Sequence, residues 1–251
     1  MQAMIFAAGL GTRLQPLTNH CPKALVPLAG RPLIDHVLDK LVDAGATRIV
    51  VNVHHFADML CRHLSQWQRA GVELLVSDER DLLLDTGGGV RKALDLIDTT
   101  QPLLLHNVDI VSTSSLLQFV AAARSRHEAT SCEAALMVSH RTSSRYLLFD
   151  SHQRMQGWTN TSTGAVRPEG LPVDGLLPRA FSGIHMLFPK VYPLLQAWPE
   201  RFGITDFYID TCRQHSYVAV DTPADTLIDV GTPERLQEAE RQIARRQTIR
   251  H

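Results

Sequence analysis

The stretch Met4-Ile5-Phe6-Ala7-Ala8-Gly9-Leu10-Gly11-Thr12-Arg13-Leu14 decides how this chain is read. Its first four residues are an apolar run that leads straight into a glycine loop. After a strand, the backbone N–H groups of such a loop can surround anionic oxygens, because no side chain blocks their approach. Arg13 adds a planar fork of donors, and Lys23, in Pro22-Lys23, adds a mobile point charge. A plain glycine turn beside two solvated basic residues would have the same composition. The loop is no Walker motif, since no Gly-Lys-Ser/Thr follows. It is no dinucleotide fingerprint either, since Leu14 stands where the third glycine belongs. No basic region precedes it, so it is expected as a first strand rather than a signal peptide.

Outward from this loop, strand and helix signals alternate. Leu33, Val37, Leu38, Leu41 and Val42 recur at helical spacing until Gly45 stops the helix. Arg48–Val53 is a β-branched run, Phe56–Trp67 is helical, and Val72–Val76 forms a third strand. Gly87-Gly88-Gly89 opens a helix through Ile97, and Pro102–His106 is a fourth strand that ends in Asn107-Val108-Asp109. This alternation indicates an α/β fold with a doubly wound, mostly parallel sheet.

Beyond about residue 130 the pattern changes. Ser131–Val138, Tyr146–Phe149 and Phe181–Leu187 read as strands, and Asn160–Pro178 reads as a loop or hairpin flap. Helices return at Phe188–Trp198, Ile204–His215 and Pro233–Arg246. With no linker and no internal repeat, residues 1–251 read as one domain carrying a smaller β-rich subregion.

Composition sets the outer limits. With 44% hydrophobic and 20% charged residues, the chain has material for a full core. Lys and Arg number 25 against 26 Asp and Glu, a net charge of -1. No basic surplus favours nucleic acid or an anionic membrane, so a polyanionic ligand must meet a local cluster of cations. The four cysteines form no CxxC pair, which suits scattered thiols in a reducing compartment and makes a cytoplasmic protein the expectation. The twelve histidines are dispersed, and His54-His55 at a strand end are expected in structural or surface roles. No apolar run approaches the ~18 residues of a membrane span.

Further segments carry chemistry. Asp109 follows the fourth strand, and Asp229 follows Thr226-Leu227-Ile228. In an open α/β sheet, ligands gather at the carboxyl ends of strands. Two carboxylates brought together there repel unless a cation lies between them, and Mg²⁺ is the natural occupant. A turn role for Asp109 and a capping role for Asp229 are the plainer alternatives. The triplet Gly87-Gly88-Gly89 allows close approach of a flat ligand or a tight turn. Gly183, in Phe181-Ser182-Gly183-Ile184, leaves room for a ligand ring or marks a bulge.

Together these segments resemble the bacterial sugar-1-phosphate nucleotidylyltransferases. The family's signature appears as Gly9-Leu10-Gly11-Thr12-Arg13 with Pro22-Lys23. Lys23-Ala24-Leu25-Val26-Pro27, Thr86-Gly87-Gly88-Gly89, Asn107-x-Asp109, Phe181-Ser182-Gly183-Ile184 and Asp229-Val230-Gly231-Thr232 also match, in unbroken order over about residues 1–240. Among subfamilies, the chain is most similar to the short N-acetylmuramate-1-phosphate uridylyltransferases, which share the triple glycine and an ending like Asp229-Val230-Gly231-Thr232-Pro233-Glu234-Arg235-Leu236.

The resemblance implies a Rossmann-like nucleotide-binding half at 1–130, a β-rich sugar-binding half at 131–230 and a C-terminal helix at 231–251. It implies that the base lies over Ala8 and Gly9 and against Gly88, with Gly11, Thr12, Arg13 and Lys23 on the triphosphate. Asp109 and Asp229 would bind Mg²⁺, and Asn107 and Gly183 would line the nucleotide and sugar sites. Arg145 is expected toward the sugar phosphate and Asn160 toward sugar hydroxyls, although a surface arginine and a turn asparagine fit equally. The implied reaction joins a nucleoside triphosphate, UTP first and GTP second, to a sugar 1-phosphate, in a monomer or homodimer. Two other readings differ in class. A non-catalytic nucleotide-sugar-binding regulator has little use for the metal carboxylates, so Arg13, Lys23, Asp109 and Asp229 together speak against it; a nucleotidylyltransferase with a non-sugar acceptor such as phosphocholine is the nearer rival. Val108, where the family often has glycine, and the segment Arg141–Pro178 depart from the family pattern.

Overall fold

The computed structural model describes residues 1–223 and 227–249. The first half contains β1 (Gln2–Phe6), the short pair β2 (Pro27–Leu28) and β3 (Arg31–Pro32), α1 (Leu33–Asp43), β4 (Arg48–Val53), α2 (Ala57–Gln66), β5 (Glu73–Asp78), α3 (Asp85–Ala93), β6 (Leu103–Asn107), β7 (Ile110–Ser112) and α4 (Leu116–Thr130). The second half contains β8 (Ala134–Ser139), β9 (Arg145–Phe149), β10 (Met155–Asn160), β11 (Ala165–Arg167), β12 (Leu177–Leu187), α5 (Tyr192–Ala197), α6 (Ile204–Thr211), β13 (Tyr217–Asp221), β14 (Leu227–Asp229) and α7 (Pro233–Ile249).

β6, β1, β4 and β5 lie side by side and parallel, as the alternating pattern predicts. β1 is central and all five of its residues are buried. Because side chains alternate along a strand, Ala3 and Ile5 enter one core with α1, α2 and α4, while Met4 and Phe6 enter another with α3, α5 and α6. α1 buries Leu33, Ile34, Val37, Leu38 and Leu41. It stops where Gly45, at φ +87°, donates its N–H to the Val42 carbonyl, a conformation that glycine adopts without strain.

The eleven-residue β12 joins the two halves. Its last four residues pair antiparallel with β6, its first three pair with β9, and β8 runs along its other side. β9, β10 and β11 form an antiparallel meander, the flap, which begins earlier than the Asn160–Pro178 loop or hairpin expected and shares with it only the β10–β11 turn and β11; β13 adds to β8 in parallel. Several elements go beyond the sequence expectations: β7, α4, β10, β11 and β13. The helices expected over Phe188–Trp198 and Ile204–His215 are shorter: α5 starts only at Tyr192, after a tighter turn at Pro189–Val191, and α6 ends at Thr211. Among the described residues no helix is long and apolar enough to cross a membrane.

Two local features hold the elements around the glycine loop. In the first, Glu79, 1% exposed, accepts hydrogen bonds from Asn52 Nδ2 (2.8 Å) and from the Leu84 N–H (3.2 Å). Asn52 Oδ1 in turn accepts the N–H of Ala7 at 2.7 Å. One buried carboxylate thus ties the ends of β4, β5 and β1 to the start of α3. Burial raises the Glu79 carboxyl above its ordinary value of 4.5.

In the second feature, the triple glycine lies inside α3 rather than ahead of it, and all three residues are buried. A Cβ on Gly87 would stand 2.2 Å from the Phe202 ring, and one on Gly88 would stand 2.3 Å from the Glu200 carbonyl oxygen. The N–H groups of both glycines donate to the Phe202 carbonyl, and Ile204 N–H donates to Thr86 Oγ1. The close approach that glycine permits here is made by the chain itself.

Two outcomes are expected. Gly88→Ala forces a Cβ against backbone and should cost about 1–3 kcal/mol in urea unfolding; an unchanged midpoint contradicts this packing. For Glu79 the raised folded pKa means stability that is present below the ordinary value and lost as pH rises through the raised one. The unfolding free energy of the wild type relative to Glu79→Gln should therefore fall between pH 4.5 and neutral pH. A difference that grows with pH over that window refutes the burial argument.

Candidate active site

The carboxyl ends of β1, β4 and β6 open onto the glycine loop. Gly11 sits at φ +67°, and a Cβ there would lie 2.9 Å from Thr18 Cγ2, so the loop admits only glycine at this position. Its carbonyl accepts the Leu14 N–H at 2.9 Å and the Thr18 hydroxyl at 2.8 Å. Leu14 is fully buried and anchors the short turn Thr12–Leu14, which leaves Arg13 at the surface. Ala8, Gly9, Gly11 and Thr12, with Asn52, Asp85, Thr86 and Asp206, line a cavity of about 590 Å³. That volume is ample for a nucleotide-sized ligand.

Beside this cavity the backbones that carry the two aspartates meet. β14 pairs antiparallel with β7, with Asp229 opposite Ile110. The Val230 N–H donates to the Asp109 carbonyl at 2.8 Å, so residues more than a hundred positions apart are joined through their backbones. The Asp109 carboxylate accepts a hydrogen bond from Lys23 Nζ and lies 4.0 Å from Arg13 Nη2. Asp229 Oδ1 accepts the Gly231 N–H at 2.8 Å. A Cβ on Gly231 would fall 2.6 Å from Arg13 Nη2 and 2.7 Å from Asp229 Oδ1, so both groups crowd this glycine. Arg13, Lys23, Asp109 and Asp229 thus form one cluster.

The remaining sequence expectations divide. Asn107 and Gly183 are brought together: Gly183, at φ +70°, leaves the space in which Asn107 Nδ2 sits 2.6 Å from where a Cβ would be. Val108 is buried and donates its N–H to the Phe6 carbonyl, so the valine keeps the turn before Asp109 tight against β1. Gly88 does not line the cavity, since Glu200 and Phe202 cover it. Arg145 is exposed at the start of β9. Asn160 Oδ1 accepts the Ser162 N–H in the β10–β11 turn, which is the turn role. Neither Arg145 nor Asn160 lines the cavity.

Other residues at the site carry no motif. Asn52 and Glu79 set the loop's exit angle, and Asp206 of α6 reaches the cavity wall from the far end of the chain. The only signals in sequence were a polar residue within a β-branched strand and an acid among charged neighbours. His54 Nδ1 bonds the Glu79 carbonyl, and buried His106, with its pKa lowered by desolvation to about 4, bonds the Asn107 carbonyl. Both are structural. Among the described residues no group of three or more His, Cys, Asp and Glu side chains could hold an ion, so the aspartates stand as a pair.

Comparison with known proteins agrees with this geometry. The nucleotidyl transferase family model matches residues 2–155. An N-acetylmuramate α-1-phosphate uridylyltransferase of Caulobacter vibrioides is 35% identical over 75% of this chain and 76% of its own. One of the same name from Neisseria meningitidis is 31% identical over 96% of this chain and 97% of its own. HddC from Yersinia pseudotuberculosis has a similar fold (TM-score 0.74, 20% identity, 96% of this chain and 99% of that one). So has a UDP-glucose pyrophosphorylase bound to UDP-glucose (TM-score 0.76, 15% identity, 98% of each chain). A glycine loop facing two backbone-linked aspartates, in a chain matched this way, belongs to the nucleotidyl transferase family, as the motifs imply.

Proposed function

We propose that the protein transfers the uridylyl group of UTP to a sugar 1-phosphate and releases pyrophosphate. The observation that carries this reading is the convergence of Arg13, Lys23, Asp109 and Asp229 beside the glycine-loop cavity. Two relatives that share at least three quarters of their length with this chain are named for uridylyl transfer to N-acetylmuramate α-1-phosphate, and we take that sugar as the first acceptor to test. GTP is the second choice of nucleotide.

The sugar phosphate oxygen forms a bond to the α-phosphorus of the triphosphate while the bond from that phosphorus to the bridging oxygen breaks. Pyrophosphate leaves with the electron pair. The attacking oxygen is already anionic at neutral pH, so no side chain need remove a proton. The residues instead position the reactants and offset like charges. In-line alignment supplies ~7–11 kcal/mol in well-oriented systems. Arg13, with its side chain 62% exposed, is free to follow the β- and γ-phosphates, while Lys23, 13% exposed, is held at Asp109. In this reading the amides of Gly9, Gly11 and Thr12, which line the cavity, serve the same phosphates.

The residues present fit a divalent cation. Asp109 and Asp229 are hard oxygen donors on hydrogen-bonded backbones, and Mg²⁺ takes one or two carboxylates together with substrate phosphates. Bound there, Mg²⁺ would offset the charge of the phosphate oxygens. Lys23 neutralises Asp109 in part and orients its carboxylate.

Pyrophosphate release from UTP and N-acetylmuramate 1-phosphate tests the reading. Asp109→Asn and Asp229→Asn should each lower turnover by about a hundredfold or more with the fold intact. Near-normal rates in both refute the paired-aspartate site. Arg13→Ala should raise the KM for UTP more than that for the sugar phosphate; the reverse pattern means that the loop is misassigned.

A further inference from the structure

A second cavity, of about 270 Å³, adjoins Asp229 and is lined by Arg13, Arg141, Ser182 and Arg235 among others. Among the described residues it shares no wall with the glycine-loop cavity. One side of it is an irregularity in β12. Phe181 pairs with Val138 of β8 and His185 pairs with Leu136, so Ser182, Gly183 and Ile184 stand opposite Met137 alone. A bulge of this kind bends the strand and re-aims the side chains that it carries, and bulges gather beside active sites. Gly183 permits this one, since it sits at φ +70° with Asn107 Nδ2 2.6 Å from where a Cβ would be. Arg141, from the segment between β8 and β9, fixes the near end by donating from Nη2 to the Phe181 carbonyl at 3.0 Å.

The bulge delivers Ser182 to the cavity wall. The residue is 3% exposed, and among the described residues its hydroxyl has no hydrogen-bond partner. A buried hydroxyl left unpaired lowers stability, unless a ligand completes it. The lining carries three arginines and one aspartate, so an anionic occupant fits. The cavity is smaller than the ~300–1,000 Å³ of typical small-molecule sites, so it takes the head of a ligand rather than a nucleotide. Two sets of phosphate oxygens meet at the aspartates in the proposed reaction. Those of the nucleotide are held at the glycine loop, and the attacking phosphate must come in line from another side. Ser182 and Arg141 stand on the β12 side, next to Asp229 and remote in sequence from the glycine loop.

We infer that Ser182, aimed by the β12 bulge and flanked by Arg141, donates its hydroxyl to the phosphate of the acceptor and so positions the attacking oxygen. This rests on the uridylyl-transfer reading above and adds a residue that acts on the phosphate, whatever sugar carries it. A neutral hydroxyl orients a phosphate by a charge-assisted hydrogen bond and leaves the charge of the attacking oxygen in place. Ser182 keeps its proton, and no bond to it forms or breaks.

The test compares the wild type with Ser182→Ala and Ser182→Thr. Without ligand, Ser182→Ala should unfold in urea at the same midpoint or a higher one, because it removes an unpaired polar atom. A lower midpoint means that the hydroxyl is paired within the protein, and overturns the inference. With UTP, Ser182→Ala should raise the KM of N-acetylmuramate 1-phosphate about tenfold, as loss of one charge-assisted hydrogen bond predicts, and leave the KM of UTP unchanged. Ser182→Thr keeps the hydroxyl and should recover most of that loss. Every sugar 1-phosphate that is turned over should show the same factor; a factor that varies with the sugar assigns Ser182 to the sugar ring and overturns the inference. A raised KM for pyrophosphate in the reverse direction assigns the hydroxyl to the leaving group, and unchanged constants throughout assign it to water; both also overturn it. If no sugar 1-phosphate is turned over, the uridylyl-transfer reading falls, and calorimetric titration with methyl phosphate and Mg²⁺ judges the subsite by itself. Binding weakened in Ser182→Ala and kept in Ser182→Thr upholds it; equal binding in all three proteins, or none in the wild type, overturns it.

Discussion

The site depends on the pairing of β14 with β7, extended by the hydrogen bond from the Val230 N–H to the Asp109 carbonyl. It closes a loop of more than a hundred residues and brings two carboxylates to adjoining strand ends. Like charges placed so close repel, and in a partly dry site the repulsion is much stronger than in water. Lys23 and Arg13 beside Asp109 and the Gly231 amide on Asp229 provide the balance. Each of these groups sits on a turn that admits little variation. Gly11 and Gly231 are glycines because a Cβ at either would strike a neighbour within 3 Å. The chemistry is thus built from local geometry at two remote turns and one long-range contact.

That contact is also where the two halves of the molecule answer to each other. β12 pairs with β6 of the parallel sheet and with β9 of the flap, so the same strand fixes Gly183 against Asn107 and carries Ser182 to the second cavity. The larger cavity is walled by the glycine loop on one side and by Gly203 and Asp206 on the other. No single stretch of sequence contains a whole binding site.

What was legible in the sequence follows from this. The parallel sheet was readable because β1, β4 and β6 are continuous apolar or β-branched runs separated by periodic helices. The loop residues and both aspartates were readable because their chemistry forces short, recurrent patterns of glycine and acid. Gly88 was misleading: a triplet of glycines signals a close approach, and sequence cannot say whether a ligand or the chain's own Glu200 makes it. β13 and α4 carried weak periodicity and stood out only once packed. Glu79 looked like an ordinary surface charge. Its standing comes from the sealed interior that surrounds it.

The docking of residues 200–203 on α3 bears on how this fold can be divided. The family model matches residues 2–155, yet the helix that walls the glycine-loop cavity is capped by carbonyls and a ring supplied by residues 200–202. The matched segment is therefore not a self-sufficient module. A chimera that swaps halves between relatives near residue 155 inherits α3 from one parent and its lid from the other. Its success rests on whether those two surfaces still interlock, not on the motifs that each half retains.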